Sequence, residues 1–276
     1  MAKAVIPRAG DWRAIFQLAG ECRELGDDPT AWRDHLLEGL SRLIDADLGS
    51  SGESSGHAGG PPRSLGVAHY RYDRFVGPKV QADIASELAR DPTRYCIIER
   101  WYAAQAREDG AALTRRRVYE DREWDASFSA NFVHRPLGVD HVVACFRTIP
   151  GGRDVCIGTM LFRGRERRDF DDREVAIVRE AHAAIAPLVG GPLARFEEPS
   201  PRDLPPHMRR VLARLLEGDC DKQIALRLGL SPYSVNQYTK GLYRHFGVRS
   251  RAELLARWLR RAYPNPPTWL KESDSA

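Results

Sequence analysis

The sequence predicts an α+β domain followed by a small all-α domain of four helices. Three observations carry that expectation. Residues 141–163, HVVACFRTIPGGRDVCIGTMLFR, hold two runs rich in β-branched and aromatic residues joined by PGGRD, a hairpin signal. Helical patterns stand on both sides of that hairpin, as in folds that segregate helices from an antiparallel sheet. The charge is also divided unevenly. Residues 200–263 carry 13 Lys and Arg against 5 Asp and Glu, for +8, whereas residues 1–199 sum to −3 and the segment from Pro264 to −1. A basic module joined to a slightly acidic one points to a polyanion-binding part and a part with another task.

Composition narrows the class. With 42% hydrophobic and 29% charged residues, the 276-residue chain can bury at least one full core. No apolar run approaches the roughly 18 residues of a membrane span, and MAKAVIPRAGDWRAIF lacks a signal-peptide core. The expectation is a cytoplasmic protein without a membrane partner. Cys22, Cys96, Cys145, Cys156 and Cys220 are scattered and never form CxxC, which favours reduced thiols over disulfides or a zinc site. No metal is expected.

The elements follow in order. A first helix starts near Asp11 and carries Trp12, Ile15, Phe16 and Leu18 towards Cys22. A second takes Asp28 as N-cap and Pro29 at its first position, then Trp32, Leu36, Leu40, Leu43 and Ile44. GSSGESSGHAGGPPRS, residues 49–64, is low in complexity and reads as a flexible loop. LGVAHYRYD alternates as a strand, and helical stretches follow around 94–107 and 124–132. After the hairpin, Asp171 with Glu174 has capping-box spacing, and Val175, Val178, Ala181, Ile185 and Leu188 trace one helix face. The Gly/Pro-rich residues 190–203 read as a linker. The expected domains are therefore 1–189 and 204–263, with a tail at 264–276.

In the last quarter, LPPHMRRVLARLLEG is a helix with Val211, Leu212, Leu215 and Leu216 inward. DKQIALRLGLS is a short helix that stops at Gly229, where a positive φ permits a sharp exit. Ser231 caps a third helix beginning at Pro232. Two helices joined by so short a turn, with a small Ala225 at their crossing, make a helix-turn-helix. On the third helix Val235, Thr239, Leu242 and Phe246 share one face, and Tyr233, Gln237, Lys240 and Arg244 lie opposite, flanked by Asn236. Amides can bond adenine's N6/N7 edge, and Lys or Arg can bond guanine's O6/N7. That face is suited to the major groove of double-stranded DNA.

RRVLARLLEGDCDKQIALRLGLSPYSVNQYTKGLYRHFGVRSRAELLA resembles the four-helix LuxR/GerE-type DNA-binding domain along nearly its whole length. The resemblance rests on Glu217-Gly218, Ile224-Ala225, Leu228-Gly229, Ser231, Val235, Tyr243, Gly247-Val248 and Arg251-Ala252-Glu253-Leu254. It implies that Asn236, Gln237 and Lys240 face base edges and that Tyr233, Arg244, Arg249 and Arg251 lie near phosphates. Pro205, Met208, Cys220 and Tyr238 depart from the family pattern. Pro205 with Met208 weakens one helix cap and Cys220 another, at about 1 kcal/mol for each cap, and Tyr238 bears on base preference. Residues 12–190 resemble GAF-like sensor domains in the order of their elements.

The first domain was open to several chemistries. A phospho-acceptor needs clustered carboxylates and a lysine at strand ends, but residues 1–199 contain only Lys3 and Lys79. Acyl-homoserine-lactone receptors resemble the architecture, yet Trp101, Tyr102 and Asp91-Pro92 match neither their spacing nor their order. His134, His141 and Cys145 are the one group suited to nucleophilic catalysis. Cys145 inside an apolar strand reads better as core, no catalytic motif appears, and no catalytic residue is assigned. Trp101, Tyr102, Tyr119, Trp124, Phe128 and Phe132 are candidate lining of a ligand pocket, or core. RGRERRD and TRRR read as solvated.

These readings together describe a regulator that binds DNA as a homodimer, needs no cofactor, and responds to a small-molecule effector or a partner. The alternatives are a constitutive DNA-binding dimer whose first domain is only a scaffold and, more remotely, an enzyme domain fused to a helix-turn-helix.

Overall fold

The computed structural model describes residues 5–56, 63–75, 86, 97–150 and 154–262. Expectations placed on Lys3, Lys79, Asp91-Pro92, Cys96 and the tail 264–276 lie outside them. The chain separates into two units, Met1–Leu25 with Thr30–Val189, and Gly26–Pro29 with Gly190–Ala276.

The first unit begins with helices α1 (Ala9–Glu24) and α2 (Ala31–Ile44). The second helix starts later than Asp28 predicts, because the chain turns through residues 25–30 and Thr30 takes the cap position. Strands β1 (Leu48–Ser55), β2 (Arg63–Tyr70), β3 (Ala112–Thr114), β4 (Val139–Thr148) and β5 (Val155–Gly164) form one antiparallel sheet in the order β2-β1-β5-β4-β3. Between β2 and β4 lie the short helices α3 (Tyr72–Phe75), α4 (Ile97–Arg107), α5 (Arg115–Val118) and α6 (Asp121–Ala126). After them comes a π-helical turn, Ser129–His134. Helix α7 (Asp172–Ile185) closes the unit.

Both faces of the sheet are covered, which is why β4 and β5 read as nearly continuous apolar runs. One face receives α2 and α7, and α1 packs on those two helices. The other packs Leu48, Val142, Ala144, Phe146, Met160 and Phe162 against Trp101, Tyr119, Trp124 and Val133. The capping box at α7 forms as its spacing predicts: Asp171 Oδ1 accepts from the Glu174 N–H and Glu174 Oε2 from the Asp171 N–H, both at 2.9 Å. Burial pushes the Glu174 carboxyl up, but hydrogen bonds from Arg168 and Arg163 outweigh it and hold it below its usual range.

The loop expected at 49–64 is corrected. Residues 49–55 are the body of β1, an inner strand paired with both β5 and β2, and β2 begins at Arg63. Small side chains are what this position accepts. A Cβ on Gly49 would stand 2.8 Å from Leu161 Cδ2, and one on Gly52 would stand 2.8 Å from the Gly66 carbonyl oxygen. Ser51 accepts from the Thr159 hydroxyl at 3.2 Å, and Glu53, wholly buried, is paired with Arg33 of α2. Low complexity here reflects tight packing.

The second unit holds four helices, α8 (Pro206–Leu216), α9 (Asp221–Leu228), α10 (Pro232–Phe246) and α11 (Arg251–Ala262). Val211, Leu212, Leu215, Ile224, Ala225, Val235, Leu242, Phe246 and Leu254 form its core. Residues 190–203, expected as a linker, fold with this unit. Ser200 caps a 3-10 turn over Pro201–Asp203, Leu204 enters the helical core, and the Ser200 carbonyl bonds the His245 ring at 2.9 Å.

Candidate nucleic-acid interface

Helix α10 is fixed at both ends by local chemistry. Ser231 Oγ accepts from the Ser234 N–H at 3.0 Å, satisfying one of the donors that a helix start leaves unpaired. Pro232 follows at the first helical position. At the far end Gly247 adopts φ 64°, as Gly229 does at the end of α9, a conformation that glycine enters without Cβ strain. The turn from α9 to α10 is thereby held to Gly229, Leu230 and Ser231.

Val235, Thr239, Leu242 and Phe246 are buried, and Tyr233, Asn236, Gln237, Lys240 and Arg244 are exposed, with Tyr233 74% accessible. Periodicity thus anticipates which face points outward. Arg249 is exposed beyond the helix end. The exposed face of α10 carries no carboxylate. Among the described residues Lys240, Arg244 and Arg249 make no ion pair, whereas Arg214 and Arg227 are matched by Glu217 and Asp219 at 2.5 and 2.9 Å. Lys222, at the start of α9, is likewise exposed and unmatched. Sequence reasoning passes over it, although a base beside a helix N-terminus is a readable signal for phosphate.

Two residues stand elsewhere than the family resemblance implies. Arg251 turns inward: its Nη2 donates to the carbonyls of Asp219 at 2.6 Å and Leu215 at 3.2 Å. These are carbonyls at the end of α8 and just after it, so the guanidinium ties α11 to the first helix instead of standing free for phosphate. Tyr238 is half-buried, its ring 4.7 Å from that of His207, and does not join the exposed face. Met208 Cε lies where a Cβ on Gly241 would be, at 2.7 Å, so Met208 packs α8 onto α10. Gln223 Oε1 accepts from the Cys220 N–H at 2.8 Å, supplying part of the cap expected to be weak.

Of the six aromatic residues read as pocket lining or core, three are core. Trp101, Tyr119 and Trp124 lie in the core of the first unit, with ring centroids 6.1–6.2 Å apart in succession. Their polar atoms are used for anchoring: Trp101 Nε1 donates to the Leu113 carbonyl at 3.1 Å and Trp124 Nε1 to Asp140 at 2.8 Å. Tyr102 is half-buried, with its hydroxyl 2.9 Å from Ser54 Oγ. Phe128 and Phe132 stack on each other at 4.5 Å, and Phe132 is 56% exposed. The six do not share one lining: Phe132 stands outward on the π-turn, and Phe128 is half-buried just before it.

Of the nucleophilic grouping, His134 is separated from Cys145 by the sheet, while His141 and Cys145 share one face of β4 four residues apart. Cys145 faces away from the Phe146 side of β4, donates to the Gly110 carbonyl at 3.3 Å, and is pushed up to about 12 by burial. His134 packs on Trp124 and Phe162, on the opposite face. The TRRR arginines are matched by carboxylates: Arg115 by Asp121 and Asp140, Arg116 by Asp121, and Arg117 by Asp172. No group of three His, Cys, Asp or Glu suited to a metal occurs among the described residues. No helix among them is long and apolar enough to cross a membrane.

Comparison with known proteins agrees with this geometry in the second unit. Residues 204–257 match the GerE family, bacterial regulatory proteins of the luxR family. The chain is 33% identical over 85 residues to the probable HTH-type transcriptional regulator GfsR of Streptomyces halstedii, an alignment covering 30% of this chain. The chain spans about a third of the length of that curated relative. Among solved structures, SdiA in complex with octanoyl-rac-glycerol aligns at a TM-score of 0.42 and 13% identity, covering 92% of this chain and 94% of that one. Escherichia coli SdiA in another crystal form aligns at 0.36 and 12%, covering 91% and 99%. The VqsR LBD domain from Pseudomonas aeruginosa aligns at 0.31 and 15%, covering 62% and 98%. Residues 204–257 are a GerE/LuxR-type helix-turn-helix domain.

Proposed function

We propose that this chain is a cytoplasmic transcription regulator that reads a specific operator in duplex DNA through the major groove, as a homodimer. In this reading the first unit is GAF-like and adjusts binding in response to a small molecule or a partner. Asn236, Gln237 and Lys240 contact base edges, and Tyr233, Arg244 and Arg249 hold phosphates. Arg251 supports them from inside the domain.

The observation that carries the reading is the exposed, carboxylate-free face of α10, rigidly capped at Ser231 and Gly247. Amides and bases on one outward helix face provide the donor and acceptor pattern for major-groove edges. The charge of +8 over residues 200–263 supplies the sequence-independent attraction. The scaffold alternative draws support from Trp101, Tyr119 and Trp124, which fill a core.

Duplex binding by the full chain, followed across a salt series, tests the reading. Log affinity is expected to fall steeply with log salt. In sequences selected from a random duplex pool, Gln237→Ala or Lys240→Ala should relax preference by ~1–3 kcal/mol at the affected base pairs. Arg249→Ala should weaken all duplexes about equally. Flat salt dependence, or unchanged preference in both base-face variants, overturns it.

A further inference from the structure

The outer face of α1 is made of residues that the packing of the first unit does not use. Asp11, Ile15, Leu18, Ala19 and Cys22 turn inward, and the helix packs on α2 and α7. At about 100° per residue, Trp12, Arg13, Phe16, Gly20, Arg23 and Glu24 fall within about a third of the circumference, on the side away from them. Phe16 is 64% exposed and stacks on the half-buried Trp12, with ring centroids 5.8 Å apart. One turn further on, Gly20 is exposed, and a Cβ added there would meet nothing within 4 Å. Glycine weakens a helix interior, so one that neither internal packing nor a positive φ requires needs a reason outside the fold. Arg13 and Glu24, both exposed, make no ion pair among the described residues.

A surface that carries a projecting ring and, one turn away, a hollow suits a second copy of itself, because a two-fold pair brings the same patch from each side. We infer that α1 pairs with α1 of a second copy, antiparallel and two-fold, with Phe16 of each seated over the partner's Gly20. The dyad then lies level with residue 18. In that register Arg13 comes within one residue of the level of the partner's Glu24, along the same edge of the pair. Along the other edge Trp12 comes beside the partner's Arg23, and a guanidinium over an indole face is attracted to it. A parallel pair would instead set Arg13 against Arg13 and Phe16 against Phe16, with no hollow filled. A contact centred on one helix about 24 Å long is small beside the ~800 Å² per partner of a standard interface, so micromolar association is expected. The inference rests on the homodimer reading above and gives the first unit a contact that needs no DNA.

Sedimentation equilibrium of the full chain without DNA tests it. The parent should show a concentration-dependent dimer. Gly20→Gln fills the hollow with a good helix former, so it should hold or raise the unfolding temperature while weakening the dimer about tenfold or more. Arg13→Glu sets like charges against each other at both ends of the pair and should weaken it by about the same factor. Arg13→Glu combined with Glu24→Arg should restore the parent affinity, because the exchange re-forms both ion pairs in the antiparallel register. A parent that stays monomeric throughout the micromolar range, a dimer indifferent to both single variants, or a failed rescue overturns the pairing and leaves the face to a different partner. Duplex binding is measured separately on the same proteins. Duplex binding by a chain that is monomeric in solution sinks the α1 contact alone, whereas α1 pairing without any duplex binding sinks the regulator reading and leaves the contact standing.

Discussion

The guanidinium of Arg251 lies 2.6 Å from the carbonyl oxygen of Asp219, donating through Nη2 to the backbone that follows the first helix of the DNA-binding module. The same nitrogen reaches the Leu215 carbonyl at 3.2 Å, so one side chain at the start of α11 ties together the last turn of α8 and the backbone that follows it. Arg251→Ala is therefore expected to act through stability. Bonds to a charged donor contribute ~1.5–3 kcal/mol, and partial exposure places this loss in the lower part of that range. Urea unfolding of the second unit should show it, with the sequence preference of the remaining folded protein unchanged. A variant as stable as the parent, binding all duplexes more weakly, would return Arg251 to the phosphate contacts.

The second module was legible because its information is local. Ser231, Pro232, Gly229 and Gly247 specify caps and turns by their own backbone chemistry, and the apolar phase of α10 separates its faces. Strand β1 was not legible, because its signal lies in its neighbours. Apolar periodicity finds strands through large side chains, and GSSGESS has none. Its residues are small because Leu37, Leu161 and the Gly66 backbone press on it. The role of Arg251 was hidden for a related reason: a resemblance assigns a residue to a place, and only packing tells which way its side chain turns.

Gly52 gives that argument a direct test. A Cβ there would approach the Gly66 carbonyl oxygen to 2.8 Å, and a backbone atom in a paired strand cannot step aside as a flexible side chain would. Gly52→Ala should destabilise the first unit by ~1–3 kcal/mol, the usual range for overpacking. Gly10→Ala, with nothing within 4 Å of the added carbon, is the control. Equal unfolding midpoints for the two variants would mean that β1 tolerates side chains after all.

Acid should unfold the first unit through its buried histidines. His182 Nε2 lies 3.1 Å from Thr159 Oγ1, and burial, helped by the charge of Arg147, pushes its pKa down to about 3. His134 is lowered to about 3 by burial as well. An unfolded histidine titrates near 6.5, so between about pH 6.5 and 3 the unfolded chain binds more protons than the folded one. Stability is then full above pH 6.5 and falls as pH drops, by ~1.4 kcal/mol per unit for each histidine. Glu174, held below its usual range, loses its contribution only at lower pH, as pH falls through its folded pKa. His182→Gln removes one titrating group while retaining an amide for Thr159. Denaturant unfolding at pH 7, 6 and 5 should give a shallower fall for the variant. Parallel curves would place the titration elsewhere.

The last expectation concerns assembly on DNA. A single module of this size covers ~600–1,000 Å² of interface, whereas specific complexes bury ~1,000–2,500 Å² of protein surface. Two copies are therefore expected on two half-sites about one helical turn apart, ~10 bp, in pseudo-palindromic sequence. The proposed contact is α11, but not with the full apolar stripe its sequence offers. Trp258 packs edge-on against Phe246 at 5.1 Å and closes the domain's own core. Leu259, 60% exposed, and the half-buried Leu255 remain for a second copy. Leu259→Arg touches the exposed position only, so it should leave folding intact and weaken occupancy of the paired site far more than of one half-site. Footprinting together with the mass of the complex reads both quantities. One chain holding one unpaired half-site at high affinity would overturn the dimer. A Leu259→Arg variant that pairs on the operator as tightly as the parent would remove α11 as its interface.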